Sequence, residues 1–210
     1  MRKDAPTALI FVILSALVAG CASARAQYDI GLSEVQTTFR AAGKYGEPVI
    51  KRVGDPGVDH NVYVDGVLGF GWFLSPYRLS FLLANHTDRS IRIIWDEAAY
   101  VDANGVSHRV IHEGVKYIDR SASQPPSVVP PNSEIHDSII PVDHVYFMSG
   151  QYGGWGELPL LPVSAYSKKH MESIVEQYVG KTLRVLLPIE LQNVVVDYIF
   201  TFRINAAEVR

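Results

Sequence analysis

The pattern that most restricts the fold lies near the C-terminal end. There Val194, Val196, Tyr198, Phe200, Phe202 and Ile204 alternate with Val195, Asp197, Ile199, Thr201 and Arg203. The first set is wholly apolar or aromatic and the second is mixed, as in a strand with one face in a core. Leu183, Val185, Leu187 and Ile189 draw a similar face just before it. Glu190-Leu191-Gln192-Asn193 joins the two runs, a length suited to a hairpin.

The centre of the chain repeats this grammar. Leu79, Phe81 and Leu83 alternate with Ser80, Leu82 and Ala84, and Asn85-His86-Thr87-Asp88 supplies turn residues. Ile91, Ile93 and Trp95 put apolar groups on one face of the next strand. Asp102-Ala103-Asn104-Gly105 then turns the chain into Val106 to His112, since Asn-Gly readily takes positive φ. Proline gives no ladder donor, so Pro125 to Ser133 reads as an edge segment and a turn before Ile135 to Pro141. Gly69-Phe70-Gly71-Trp72-Phe73 reads as a strand that something approaches closely. One helix is expected from an N-cap at Ser164, with Met171, Ile174, Val175, Tyr178 and Val179 at helical spacing and Gly180 as its stop. A shorter helix or ordered arm is expected over Ser33 to Ala42, with Val35 and Phe39 on one face.

Short strands at this spacing predict a mainly β fold: an immunoglobulin-like antiparallel β-sandwich with one or two peripheral α-helices. The order of strands and turns over residues 60–145 resembles immunoglobulin-like modules of bacterial lipoproteins. That resemblance speaks to fold and leaves function open.

The chain has 210 residues, enough for one domain of ordinary size, and a net charge of −3, too weakly acidic to steer it toward nucleic acid. Cys21 is the only cysteine, which rules out an internal disulfide or a Cys-based zinc site in the folded domain. Packing must therefore supply the stability.

Cys21 closes a segment that reads as an export leader. Arg2 and Lys3 form a positive start, and Ala8 to Val18 an apolar run too short to span a bilayer core of roughly 30 Å. The end, Val18-Ala19-Gly20-Cys21, resembles the lipobox of bacterial lipoproteins. That resemblance implies a signal peptide over 1–20, acylation of Cys21 (palmitate among the chains) and a lipid anchor in a membrane. It further implies the outer membrane, because Ala22 stands where inner-membrane lipoproteins often carry Asp. Residues 21–47 are then a lipid-anchored linker with the short helix, and residues 48–210 the β-sandwich. Two alternatives stay open. Ala24-Arg25-Ala26 before Gln27 also fits the A-x-A rule, which would free a soluble periplasmic protein, and a retained helix would make Cys21 an inert buried thiol.

Reactive chemistry is harder to find. His108 and His112 are four apart, but on a strand that spacing is roughly 13 Å, too far for one ion. They read as polar residues of a half-exposed strand. His60, His86, His136, His144 and His170 are scattered. There is no G-x-S-x-G elbow, and Gly66, Gly69 and Gly71 lack the Lys-Ser/Thr ending of a phosphate loop. Asp96 and Glu97 are adjacent, so on a strand they face opposite ways. The expectation is a protein that is not an enzyme, with no cofactor and no metal.

The most unusual stretch runs from Phe147 to Pro162, where Gly150, Gly153, Gly154 and Gly156 sit among Phe147, Tyr152 and Trp155. Glycines permit bends and rings offer contact area at low rotamer cost, so Tyr152 and Trp155 mark a candidate binding loop. The competing reading is a long connection whose rings fold back onto the core. The expected function is a non-catalytic envelope lipoprotein presenting a periplasmic protein-interaction domain, anchored by lipid and paired with an envelope protein. The alternative is a periplasmic carrier of a ligand or metal.

Overall fold

A computed structural model describes residues 24–38, 48–55 and 58–210. The leader, Cys21 and the second half of the expected Ser33 to Ala42 helix lie outside these residues. In chain order the strands are β1 (Ala24–Thr37), β2 (Val49–Asp55), β3 (Val58–Val64), β4 (Leu68–Leu74), β5 (Leu79–Asn85), β6 (Ile91–Ile93), β7 (Ala99–Val101) and β8 (Ser107–His112). There follow β9 (Ser127–Val129), β10 (Ser133–Pro141), β11 (Val145–Met148), β12 (Gly154–Glu157), β13 (Ser164–Ala165), the helix α1 (Lys168–Val175), β14 (Thr182–Leu191) and β15 (Val194–Val209).

The C-terminal alternation forms the hairpin that the sequence predicts. β14 and β15 pair antiparallel from Thr182↔Arg203 to Leu191↔Val194. Gln192 and Asn193 make the turn at φ 50° and 67°, the positive values a two-residue hairpin loop needs. Leu183, Val185, Leu187 and Ile189 of β14 are buried with Val196, Tyr198, Phe200, Phe202 and Ile204 of β15.

The fold is mainly β and antiparallel. Among the described residues one large curled sheet runs β13-β1-β15-β14-β7-β8-β10-β5-β4-β3-β2, with β6 and β9 attached beside it. β11 and β12 make a separate small sheet. Where the sequence suggested two sheets, the layers are continuous, because β8 belongs to both. Its first half pairs with β7 through Tyr100↔His108, and its second half with β10 through Ile140↔Ile111.

The curl brings the inner faces of β4 and β5 onto β15. Phe70 meets Phe200 at 4.6 Å between ring centroids, and Trp72 lies 4.9 Å from Phe200 and 5.2 Å from Phe202. Rings of this kind remove 150–250 Å² each from water, so this cluster dominates the core energetics. One carboxylate is buried there. Asp65, in the turn after β3, accepts from the amides of Leu68 at 2.8 Å and Val67 at 3.0 Å. It also accepts from the hydroxyls of Tyr198 at 2.9 Å and Tyr63 at 3.3 Å, which ties the turn to the facing layer.

Two expected elements are corrected. Ser33 to Thr37 is strand, part of β1 on the edge of β15, with Val35 opposite Phe200. A register shift between Leu32 and Glu34 breaks the alternation and leaves apolar residues three apart, which imitates a helix. The sheet therefore starts at Ala24, inside the stretch expected as a linker. The late helix starts after Ser167, whose side chain accepts from the His170 amide at 3.3 Å. Ser164 cannot cap it, because its backbone is paired with Arg25. Met171 and Val175 then pack on Ala24, and Gly180 ends the following turns at φ 86°.

Candidate functional site

β11 and β12 pair as Val145↔Glu157, Tyr146↔Gly156, Phe147↔Trp155 and Met148↔Gly154. Two glycines shape this hairpin. A Cβ on Gly153 would lie 2.3 Å from the Met148 carbonyl oxygen, so the tip closes only without a side chain. A Cβ on Gly156 would lie 2.6 Å from the Tyr146 ring, which crosses the strand there. The Gly153 amide donates to the Gly150 carbonyl at 3.0 Å across the tip, with Gly150 at φ 117°.

The rings do not fold into the core. Tyr152 is 92% exposed, Phe147 59% and Met148 51%. Trp155, at 39%, rests edge-on against Phe147 and Tyr117, with the Arg120 guanidinium 5.0 Å from its ring centroid. A side chain so placed is half supported and half available, the amphipathic arrangement that favours aromatic residues at interfaces. Tyr152 and Trp155, singled out from the sequence, thus occupy the tip and flank of one hairpin.

The root is fastened to the body. Glu157 accepts from Arg78 at 2.5 Å and from the Tyr117 hydroxyl. Burial, with Glu157 as acceptor, pushes that hydroxyl up to about 12 against the opposing pull of Arg78. The Leu158 amide donates to the His144 carbonyl at 2.7 Å.

Beside this root lies a polar cluster that sequence reasoning missed. His108, Asp143 and His144 each offer a ligand atom within 4.8 Å of one another. His108 is 10% exposed and sits between two carboxylates, with Nδ1 2.7 Å from Asp143 Oδ2 and Nε2 3.8 Å from Asp102 Oδ2. That Nε2 is buried without a hydrogen-bond partner. Burial raises the Asp102 carboxyl, but the amides of Val106 and Asn104 and the His108 ring outweigh it and hold it below its ordinary value. His144 places Nδ1 3.3 Å from the Leu158 carbonyl oxygen, and its ring stands edge-on to His108 at 5.7 Å.

His108 and His112 do not meet, as their spacing on a strand predicts, and both side chains are largely covered on a strand that is itself part exposed. His112 is 13% exposed, stacks on Trp95 at 4.5 Å and pairs through Nδ1 with Asp137 at 3.0 Å. Asp137 also accepts from the Glu113 amide at 2.9 Å, so this pair joins β8 to β10 as a satisfied structural contact. Asp96 and Glu97 lie on a 3-10 turn, not a strand, and Asp96 is taken up by Ser123, the Gln124 amide and Arg109. Those hydrogen bonds, Ser123 first, hold its carboxyl below the usual range. The signal that could have found the cluster is local: Asp143-His144 stands directly before the Val145 to Met148 run, while the contribution of His108 needed the pairing of β8.

No described helix is long and apolar enough to cross a membrane. The chain matches no protein-family profile and no curated protein. It is similar to a solved structure described as the X-ray structure of Northeast Structural Genomics Consortium target SoR45, over 85% of this chain and 86% of that one. The identity is 10% and the TM-score 0.27, too low for that likeness to carry any argument about fold or function.

Proposed function

We propose that this protein is a non-catalytic envelope lipoprotein, anchored in the outer membrane through Cys21, that presents the β11–β12 hairpin to a protein partner in the periplasm. One observation carries the reading: Phe147, Met148, Tyr152 and Trp155 lie together and exposed on a hairpin that pairs with no other strand among the described residues, while Glu157 pins its root. Clustered exposed rings on a rigid support are the usual composition of an interface core.

The position of β1 supports the anchor. Cleavage before Gln27 would remove Ala24 and Arg25, which pair with Ala165 and Ser164, and Arg25 also exchanges two backbone hydrogen bonds with Arg210 at 2.9 Å. Cleavage before Cys21 leaves that corner whole. The packing of β4 and β5 against β15 likewise supports reading residues 48–210 as a sandwich-like domain, which remains part of this proposal.

A photo-crosslinking amino acid at position 152 tests the reading in living cells. The expected result is one discrete adduct that disappears when Phe147 and Trp155 are replaced by alanine. Crosslinking that is diffuse, or unchanged by those replacements, would remove the hairpin from the proposal. Detergent partition of Cys21→Ser tests the anchor separately, and a variant that still partitions like the parent would refute it.

A further inference from the structure

We propose that His108, Asp143 and His144 form a site for one divalent transition cation of the zinc type at the root of the hairpin. The argument starts from the ring nitrogens. The Leu158 carbonyl only accepts, so its contact with His144 Nδ1 puts the proton on that nitrogen and the lone pair on Nε2. His108 Nδ1 lies 2.7 Å from an Asp143 oxygen, while its buried Nε2 has no hydrogen-bond partner and stands 3.8 Å from Asp102. An ion between Nδ1 and Asp143 needs the tautomer with its proton on Nε2, the one that a small turn of the ring would offer to Asp102.

Without an ion, a proton on Nδ1 donated to Asp143 accounts for the 2.7 Å contact. The convergence of His144 on the same point favours the ion: two imidazoles and a carboxylate within 4.8 Å are a common three-residue set for zinc, with a fourth position left to water. The supporting contacts match as well. Metal-binding histidines hand their other N–H to a carboxylate or a backbone carbonyl, and here Asp102 and Leu158 offer one of each. Zinc binds such donors at about 2.0–2.2 Å, so the three must rearrange modestly, and the Asp143 side chain, 61% exposed, has room to swing. The site is independent of whether the hairpin binds a partner. It would tie β8 to residues flanking both hairpin strands, since His144 precedes β11 and Leu158 follows β12.

The test is zinc titration of the purified full-length chain by calorimetry, with Cys21→Ser run alongside so that the lone thiol cannot hold the ion. One equivalent is expected in both proteins. His144→Ala and Asp143→Ala should each weaken binding at least tenfold. Asp102→Asn keeps all three ligands and an acceptor for its turn, yet should weaken binding about 10–100-fold through the lost orientation of His108. Cobalt(II) in place of zinc should show the visible bands of a four-coordinate site, lost in His144→Ala. No saturable uptake at millimolar zinc would overturn the proposal in favour of a His108 that only hydrogen-bonds Asp143. Uptake undiminished in both ligand variants would overturn it as well, by placing the ion elsewhere.

Discussion

Replacing Asp65 by alanine should cost the fold about 3–4 kcal/mol. The carboxylate receives four donors, the amides of Val67 and Leu68 and the hydroxyls of Tyr63 and Tyr198, in a place where Asp65 is 4% exposed. Leaving a buried donor unmade costs about 1–3 kcal/mol, and the long Tyr63 contact belongs at the low end, so the gross loss is about 5 kcal/mol. Removing a buried charge returns part of its desolvation cost, about 1–2 kcal/mol here. Tyr198→Phe removes one of the four donors to Asp65 and a contact with Thr37 but leaves the two amides and Tyr63 in place, so it should cost only about 1–2 kcal/mol. The double variant should then be less damaged than the sum of the two, by about 1 kcal/mol, because the orphaned Tyr198 hydroxyl is gone. Urea unfolding followed by far-ultraviolet circular dichroism measures all three, provided the slope with denaturant stays constant. A loss below about 1 kcal/mol in Asp65→Ala, or strict additivity in the cycle, would refute the picture of Asp65 as the lock between the layers.

Other expectations concern pH, the hairpin and the chain start. Burial raises the hydroxyls of Tyr63, Tyr100 and Tyr198 above their ordinary value of 10.0, so the native state holds these protons more tightly than the unfolded chain does. Their contribution is complete below about pH 10 and then falls by about 1.4 kcal/mol per pH unit for each, some 4 together. Absorbance of tyrosinate against pH should show these rings ionising only in a cooperative unfolding step; smooth ionisation near pH 10 with the circular dichroism intact contradicts this. Tyr152→Ala with Trp155→Ala should leave the domain folded, since Tyr152 buries almost nothing and Trp155 only a flank. Global unfolding of that double variant in a thermal melt would mean the rings belong to the core. Gly156→Ala should displace Tyr146 and destabilise the hairpin locally, read as faster amide exchange confined to residues 145–157. A chain shortened to begin at Gln27 should lose about 1–2 kcal/mol, because Ala24 no longer covers Met171 and Val175; unchanged stability would weaken the case against that cleavage site.

Legibility followed periodicity. β14, β15, β5 and the Asn104-Gly105 turn were readable because each strand has one dry face, so the period of two survives in the sequence. β1 was not, since its bulge destroys the alternation, and its strand identity comes from the partner β15. The continuity of the sheet was also invisible, because sharing β8 between two neighbours leaves no mark on the composition of Ser107–His112. At the candidate site, glycines and rings announced a hairpin, but ring exposure depends on what lies beneath it. The His108–Asp143–His144 cluster joins β8 to the turn that follows its neighbour β10, and the strand pairing that brings His108 there leaves no local spacing to read.

The start of the sheet at Ala24 has a consequence for reach. If Cys21 carries the lipid, the three peptide steps to Ala24 extend at most about 11 Å, so the domain cannot swing away from the bilayer on a leash. What it touches is then set by its own dimensions, on the order of 50 Å along the sixteen residues of β15. A partner confined to the same membrane would meet the hairpin at a high effective concentration, and modest affinity would suffice to hold it. A partner further into the periplasm would have to come to the membrane, and lengthening the chain before Ala24 should loosen this selection without altering a single contact.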